Sequence, residues 1–343
     1  MNLLITGGAG FVGSHFVKYI LKNRKDFKVT VIDALTYCGN LDNFTEDVWD
    51  NENFTFVKGN ILDKELVFEL VKKADIIVHF AAYTHVDRSI DLSDPFIDTD
   101  FKGTQVLLEA ARHYPVKKFI HISTSEVYGS AQYVPMDENH PLCPQSPYAA
   151  AKAGGDRLCY SYYITYKLPV IIIRPFNIFG PNQYPEKMIP LFITNAIDNK
   201  TLPIYGTGEN TRDWTYVEDT VRAIDRAIDV DAFGEVINIG TGKDYSVKFI
   251  AEKILEILGK PKELMEFVGD RPGHVKRLIT SYKKAKEILG WEPEIDFLDG
   301  LKRTIKWYCE NEWWWRKLKE SPEFIEWEKR WYSKLRELKG CKS

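Results

Sequence analysis

At 343 residues the chain is long for one simple core, so two subdomains around an α/β body are expected. Its 46 basic and 49 acidic residues leave a net charge of −3, which gives no general pull towards nucleic acid or an anionic membrane. No apolar run approaches the roughly 18 residues of a membrane span, and Cys38, Cys143, Cys159, Cys309 and Cys341 lack metal-ligand spacing, so reduced thiols in a cytoplasm are expected and a bound metal is not.

The chain opens as a strand and a turn, with no leader peptide expected. Short β-branched runs predict strands at 2–6, 28–33, 54–58, 76–80, 118–123 and 170–174. Helical patterns at 10–22, 64–72, 99–114 and 149–166 fall between them, the alternation of a doubly wound parallel sheet covered on both faces. Beyond Arg174 the texture turns irregular and rich in Pro, Gly and Asn. Val236-Ile-Asn-Ile-Gly240 then reads as a further strand returning to the main sheet. Amphipathic patterns at 249–258, 283–289 and 298–311 predict helices of a smaller C-terminal lobe. The tail from Glu320, with Trp327 and Trp331 at helical spacing, predicts a docked terminal helix, and Trp313, Trp314 and Trp315 predict the packed end of another. The expected domains are 1–175, with 214–243 returning to it, and a lobe made of 176–213 and 244–343.

Three motifs carry chemistry. Gly7-Gly-Ala-Gly-Phe-Val-Gly13 follows a strand and opens a helix, the context in which glycines let a pyrophosphate approach the backbone and the helix N-terminus. Asp33 ends the second strand about 20 residues on, placed for the adenosine ribose hydroxyls. Its charge would repel a 2′-phosphate, and Ala34-Leu-Thr-Tyr37 adds no basic residue, so NAD is favoured over NADP. Ser123-Thr-Ser-Glu126 closes an apolar strand whose carboxyl end should face the ligand crevice, offering Thr124 as a hydrogen-bonding hydroxyl and Glu126 as a base towards carbon. The plainer alternative has Glu126 capping a loop or pairing with an arginine. Tyr148 and Lys152 stand one helical turn apart on one face, where the ammonium would favour the phenolate and make Tyr148 a base below its free pKa of about 10. His85 and His274 lack metal-ligand spacing and read as polar residues near substrate.

Together these motifs resemble the extended short-chain dehydrogenases/reductases that act on nucleotide sugars, and most of all the dTDP-glucose 4,6-dehydratases. Matching segments include Thr36-Tyr-Cys-Gly-Asn-Leu, Ala81-Ala-Tyr-Thr-His-Val-Asp-Arg-Ser-Ile90 and Arg212-Asp-Trp-Thr-Tyr216, and the narrower signals are Tyr184-Pro-Glu-Lys-Met-Ile-Pro190, Asp270-Arg-Pro-Gly-His274 and the Trp313–Trp315 run. The resemblance implies a Rossmann-type sheet with a smaller substrate-binding lobe, and NAD held by Gly7, Gly10, Phe11, Val12, Gly13, Asp33, Leu35, Thr36, Asn60, Ile61, Ala81, Ala82, Thr84 and Thr99 together with Tyr148 and Lys152. It implies a nucleotide-diphosphate sugar bound by His85, Thr124, Asn177, Lys187, Arg212, Asn238, Arg271 and His274. It further implies catalysis by Thr124, Ser125, Glu126, Tyr148 and Lys152, and a homodimer joined as a four-helix bundle by helices 99–114 and 149–166.

Four positions depart from the family pattern. Ser125 stands where an aspartic acid usually protonates the leaving C6 oxygen, Tyr83 replaces a Glu, Asn60 an Asp, and Ile178 an Asn. The expected activity is dehydration of dTDP-glucose to a 4-keto-6-deoxy sugar. A UDP-glucose-type 4-epimerase, a UDP-glucuronate decarboxylase and a cofactor-sensing module without catalysis are the alternatives.

Overall fold

Apolar, β-branched runs form strands that are buried on both faces only if helices cover each side of the sheet. In the computed structural model, which describes residues 1–340, β1 (Asn2–Thr6), β2 (Lys28–Asp33), β3 (Phe54–Lys58), β4 (Ile76–His79), β5 (Lys118–Ile122) and β6 (Val170–Pro175) lie within a residue of the predicted runs. Next come β7 (Asn177–Phe179), β8 (Leu202–Tyr205) and β9 (Thr211–Tyr216), which belong to small sheets, and then β10 (Val236–Ile239). β10 pairs in parallel with β6, and the seven-stranded sheet runs β10-β6-β5-β4-β1-β2-β3. The order reverses between β1 and β4, which opens a crevice at their carboxyl ends.

Alternation along β1 shows how the sheet is filled. Leu3 and Ile5 enter a core shared with Phe16, Val17 and Ile224, while Leu4 enters the core of the opposite face with Leu107, Ala110 and Cys159. The lobe has its own core, built on Phe179, Ile204, Trp214, Ile254 and Leu301. Trp314 and Trp315 are buried in it, whereas Trp313 is exposed. The terminal helix Pro322–Gly340 docks as the tail pattern predicts, with Trp327, Trp331 and Leu335 packed on Leu191 and Val268.

Two expectations are corrected. Helix Lys283–Leu289 packs on the main sheet and not in the lobe, because Ala285, Leu289 and Trp291 cover the edge strand β10 and the neighbouring helix Val217–Asp229. An uncovered edge would leave a row of unpaired backbone groups, and Trp291 Nε1 fixes the cover by donating to the Asp219 carbonyl at 2.9 Å. The helix expected over 99–114 begins as a π-helical turn, Ile97–Gly103, before the regular Thr104–His113. The helix Pro147–Tyr166 approaches it so closely at Gly155 that a Cβ there would lie 2.5 Å from the Asp100 carbonyl oxygen.

Below the crevice, Arg174 grips Asp156 bidentately at 2.8 and 2.9 Å, and both are almost wholly buried. Removing one member of such a pair strands the other charge. Asp156→Ala should therefore destabilise the protein by about 3–5 kcal/mol, read as an earlier midpoint in urea unfolding. A midpoint close to that of the unaltered protein would show that Arg174 finds another partner.

Candidate active site

The glycine loop sits where β1 and β4 part. Gly7 has φ +70°, and a Cβ on it would lie 2.6 Å from the Ala81 backbone, so the loop lies flush on the exit of β4. A Cβ on Gly13 would lie 2.3 Å from the Gly7 carbonyl oxygen, so helix Phe11–Asn23 packs into the turn only without one. The cap residue of that helix, Gly10, offers no side chain to the first amides, which leaves them free for an anion. Asp33 ends β2 with Oδ2 accepting from the Ala9 amide at 2.9 Å and Oδ1 from the Leu35 amide at 2.8 Å. Burial raises the pKa of its carboxyl, and the two amides pull the other way. A glycine cradle with a carboxylate fixed beside it at the end of the neighbouring strand fits a dinucleotide.

A cavity of about 410 Å³ runs from this loop into the lobe, and its wall carries Gly7, Gly10, Phe11, Val12, Gly13, Asp33, Thr36, Asn60, Ile61, Ala81, Ala82, Thr84 and Thr99 as expected. Leu35 is the exception. It adopts φ +51° and turns its side chain into the sheet core, so only its amide serves the site, by holding Asp33. Asn60 uses its Oδ1 to accept from the Leu62 amide at 2.9 Å.

The strand β5 delivers the second group. The Thr124 hydroxyl accepts from the Glu126 amide at 3.2 Å and starts the short 3₁₀ turn Ser125–Tyr128, which sets Glu126 in the cavity wall. Ser125 also lines the cavity but is only 2% exposed. Tyr148 and Lys152 ride on helix Pro147–Tyr166, whose first turn is fixed by Pro147 and by the Ser146 hydroxyl accepting from the Ala149 amide at 3.2 Å. Lys152 Nζ donates to the Ile122 carbonyl at 2.7 Å.

The expected lowering of the Tyr148 pKa by Lys152 is not what this arrangement gives. Burial pushes the phenol above its ordinary value, the charge of Asp100 adds to that and Glu126 a little more, while the Thr124 hydroxyl works against them. Asp100 is the residue that sequence reasoning missed. Its Oδ1 accepts from the Tyr83 amide at 2.8 Å, and its buried Oδ2 has no partner among the described residues. Burial pushes its carboxyl up to about 8 although Lys152 opposes this, and burial likewise pulls Lys152 down while Asp100 opposes. The available signal was spacing alone, because Asp100 lies four residues from Phe96 and four from Thr104, both of them buried.

At the lobe end the cavity is cationic. Arg212 is buried and, among the described residues, has no carboxylate on its guanidinium, donating from Nη1 to the Thr211 carbonyl at 2.9 Å and from Nη2 to that of Val275 at 2.7 Å. Burial lowers its pKa to about 10, with Glu126 pulling the other way. Arg271 Nη1 meets Asp87 Oδ1 at 2.6 Å, and Lys187 Nζ meets the Thr84 carbonyl at 2.6 Å. His274 contacts Asp270 at 2.6 Å, yet burial and then the two arginines lower its pKa to about 4, as burial does for His85, so both rings are neutral at pH 7. His85, Asn177, Lys187, Arg212, Arg271 and His274 thus share one wall system with Thr124.

Asn238 does not join them, which corrects the expectation of a substrate contact. It is fully buried, its Oδ1 accepts from the Tyr128 hydroxyl at 2.7 Å, its Nδ2 donates to the Met136 carbonyl at 3.3 Å and its amide donates to Glu138 at 2.8 Å. Every polar group it has is spent on holding β10 to the loop before helix Pro147–Tyr166. Asp87, Glu186, Tyr205 and Tyr332 line the cavity without having been expected there. Among the described residues no cluster of His, Cys, Asp and Glu is placed to hold a metal.

Comparison with known proteins agrees with this geometry. The family model described as GDP-mannose 4,6 dehydratase matches residues 4–304. The low-salt glycan biosynthesis protein Agl12 of Haloferax volcanii is 49% identical over 308 residues, which cover 90% of this chain and 98% of that protein. A dTDP-glucose 4,6-dehydratase of Streptomyces niveus is 45% identical over 94% of this chain and 97% of its own length. The crystal structure of DesIV, a dTDP-glucose 4,6-dehydratase from Streptomyces venezuelae solved with NAD bound, superposes with a TM-score of 0.90 at 43% identity, covering 93% of this chain and all of that one.

Proposed function

Because the chain belongs to the GDP-mannose 4,6 dehydratase family, we propose that it is an NAD-dependent 4,6-dehydratase of a nucleotide-diphosphate hexose, with dTDP-glucose as its substrate. The observation that carries this reading is one cavity that holds a proton-transfer pair, Tyr148 and Lys152, a separate carboxylate, Glu126, a buried arginine, Arg212, and a partly buried one, Arg271. The glycine loop would receive the pyrophosphate of NAD and Asp33 its ribose. When bound, NAD supplies the redox chemistry, taking hydride from C4 of the sugar and returning it to C6.

The side chains do the rest. Tyr148 takes the C4 hydroxyl proton, with Thr124 orienting the same oxygen. The ketone formed at C4 acidifies the C5 hydrogen, which Glu126 removes as water departs from C6. Arg212 and Arg271 hold the diphosphate, where a guanidinium offers paired donors. Arg212 suits this role because its only partners among the described residues are backbone carbonyls. A 4-epimerase needs no base at C5, so Glu126 in the cavity favours dehydration. A decarboxylase is disfavoured because Ser146-Pro-Tyr-Ala-Ala-Ala-Lys152 lacks the arginine context of those enzymes. Incubation with dTDP-, UDP- and GDP-hexoses followed by mass spectrometry tests the reading. Loss of one water with dTDP-glucose is expected, and an unchanged mass with an altered NMR spectrum would establish epimerisation instead.

The same reading includes a homodimer and a cytoplasmic location. Ile97 and Phe101 on one helix are 50% and 41% exposed, and Ile164 and Tyr166 on the other are each 48% exposed, a surface that a four-helix bundle would cover. Sedimentation should give a dimer, and a mass that stays monomeric at every concentration would refute the bundle. Cys38, Cys143, Cys159 and Cys309 are free thiols among the described residues, which do not include Cys341, and this suits a reducing compartment.

A further inference from the structure

We infer that Trp331, on the terminal helix Pro322–Gly340, is a positioning residue for the substrate diphosphate, acting through Tyr205 and Asp87 on Arg271; this rests on the nucleotide-sugar reading of the cavity. The Trp331 indole Nε1 donates to the Tyr205 hydroxyl oxygen at 2.9 Å. An indole N–H can only donate, so the Tyr205 oxygen accepts there and commits its own proton to Asp87 Oδ2, 2.7 Å away. The other Asp87 oxygen takes Arg271 Nη1 at 2.6 Å. The first two bonds therefore run in one direction and end on the Asp87 carboxylate, which accepts the third from the guanidinium on its other oxygen and is held between the two. Bonds aligned in this way strengthen one another in a dry setting, and Trp331 and Asp87 are 1% and 3% exposed.

The far end of the chain is where a ligand would act. Arg271 lines the cavity, and its Nε is buried without a partner among the described residues, a donor that a phosphate oxygen would satisfy. The terminal helix also fixes the backbone that leads into this arginine. The Gly269 amide donates to the Leu335 carbonyl at 2.9 Å, and a Cβ on Gly269 would lie 2.5 Å from that oxygen. Arg336 forks onto Glu266 at 2.8 and 2.9 Å one strand-length earlier. The helix lies outside residues 4–304, the span that the family model matches, so this support for Arg271 is supplied from beyond that span.

Trp331→Phe removes the N–H while leaving a ring in place. In the holoenzyme it should raise the Kd for dTDP and the KM for dTDP-glucose by roughly 3–10-fold, the scale of one lost hydrogen bond, with a smaller fall in kcat. Binding of thymidine, which carries no phosphate, should change by less than about twofold on that scale. Tyr205→Phe breaks the same chain without changing side-chain volume and carries the test if Trp331→Phe does not fold. With Arg271→Ala already present, Trp331→Phe should add almost nothing, since residues acting through one contact are not additive. An unchanged Kd, an equal loss for thymidine, or full additivity with Arg271→Ala would each overturn the inference while leaving the dehydratase reading intact. Failure of the unaltered protein to bind dTDP, UDP or GDP would overturn both.

Discussion

Tyr148→Phe should lower turnover by roughly 10²–10⁴-fold, the range that a positioned proton-transfer group supplies, with dTDP binding retained because Arg212 and Arg271 are untouched. The phenol is 7% exposed at the cavity wall, beside the Thr124 hydroxyl. Before any ligand arrives, burial and then Asp100 hold its pKa above the ordinary value. Ionising the phenol puts a negative charge near a carboxyl that can itself become negative, and the two compete. Taking that second charge away should ease ionisation, so Asp100→Asn should move the acidic limb of the kcat/KM profile to lower pH, by up to about one unit. The sign follows from Asp100 being a cause that raises the phenol. Stopped-flow measurement of the first hydride transfer across pH checks both. Wild-type rates in Tyr148→Phe would remove the phenol from the reaction, and an unshifted limb in Asp100→Asn would show that the carboxyl stays neutral throughout.

What the sequence made legible follows from where local signals suffice. Buried parallel strands advertise themselves as apolar runs, and the glycine loop is fixed by sterics that any Cβ would violate, as Gly7 and Gly13 show. The Tyr148–Lys152 spacing is likewise a local fact. Positions set by tertiary packing were not readable. Helix Lys283–Leu289 has the same amphipathic pattern whether it covers a lobe or an edge strand, and only the pairing of β10 with β6 decides. Asn238 lies beside the site in sequence logic, yet in space it is consumed by Tyr128, Met136 and Glu138. Asp87 and Glu186 could not be told from surface carboxylates until their partners, Arg271 and Arg88, were brought beside them from distant parts of the chain. The influence of Asp100 on Tyr148 required the close contact of two helices, which Gly155 permits.

Glu126→Gln should separate the two halves of the reaction. The amide cannot take the C5 proton, so water loss should fall by roughly 10²–10⁴-fold, while substrate still reduces bound NAD because Tyr148 and Lys152 remain. Reduced cofactor should therefore accumulate, visible by its near-ultraviolet absorbance, with no loss of water by mass spectrometry. Undiminished dehydration would remove Glu126 from the mechanism. Ser125 decides what protonates the departing C6 oxygen. A hydroxyl is a far weaker acid than the neutral carboxyl Glu126 becomes after taking the C5 proton, and Ser125 is only 2% exposed, which leaves little room to present a chain of waters. Glu126 acting first as base and then as acid needs no further group, provided the proton leaves C5 and arrives at the C6 oxygen within one nearly concerted step. Ser125→Ala should then lower kcat by less than about tenfold, far less than Glu126→Gln. A fall of several hundredfold, about 3–4 kcal/mol of barrier, would instead place the Ser125 hydroxyl on the proton path and make Glu126 a base alone.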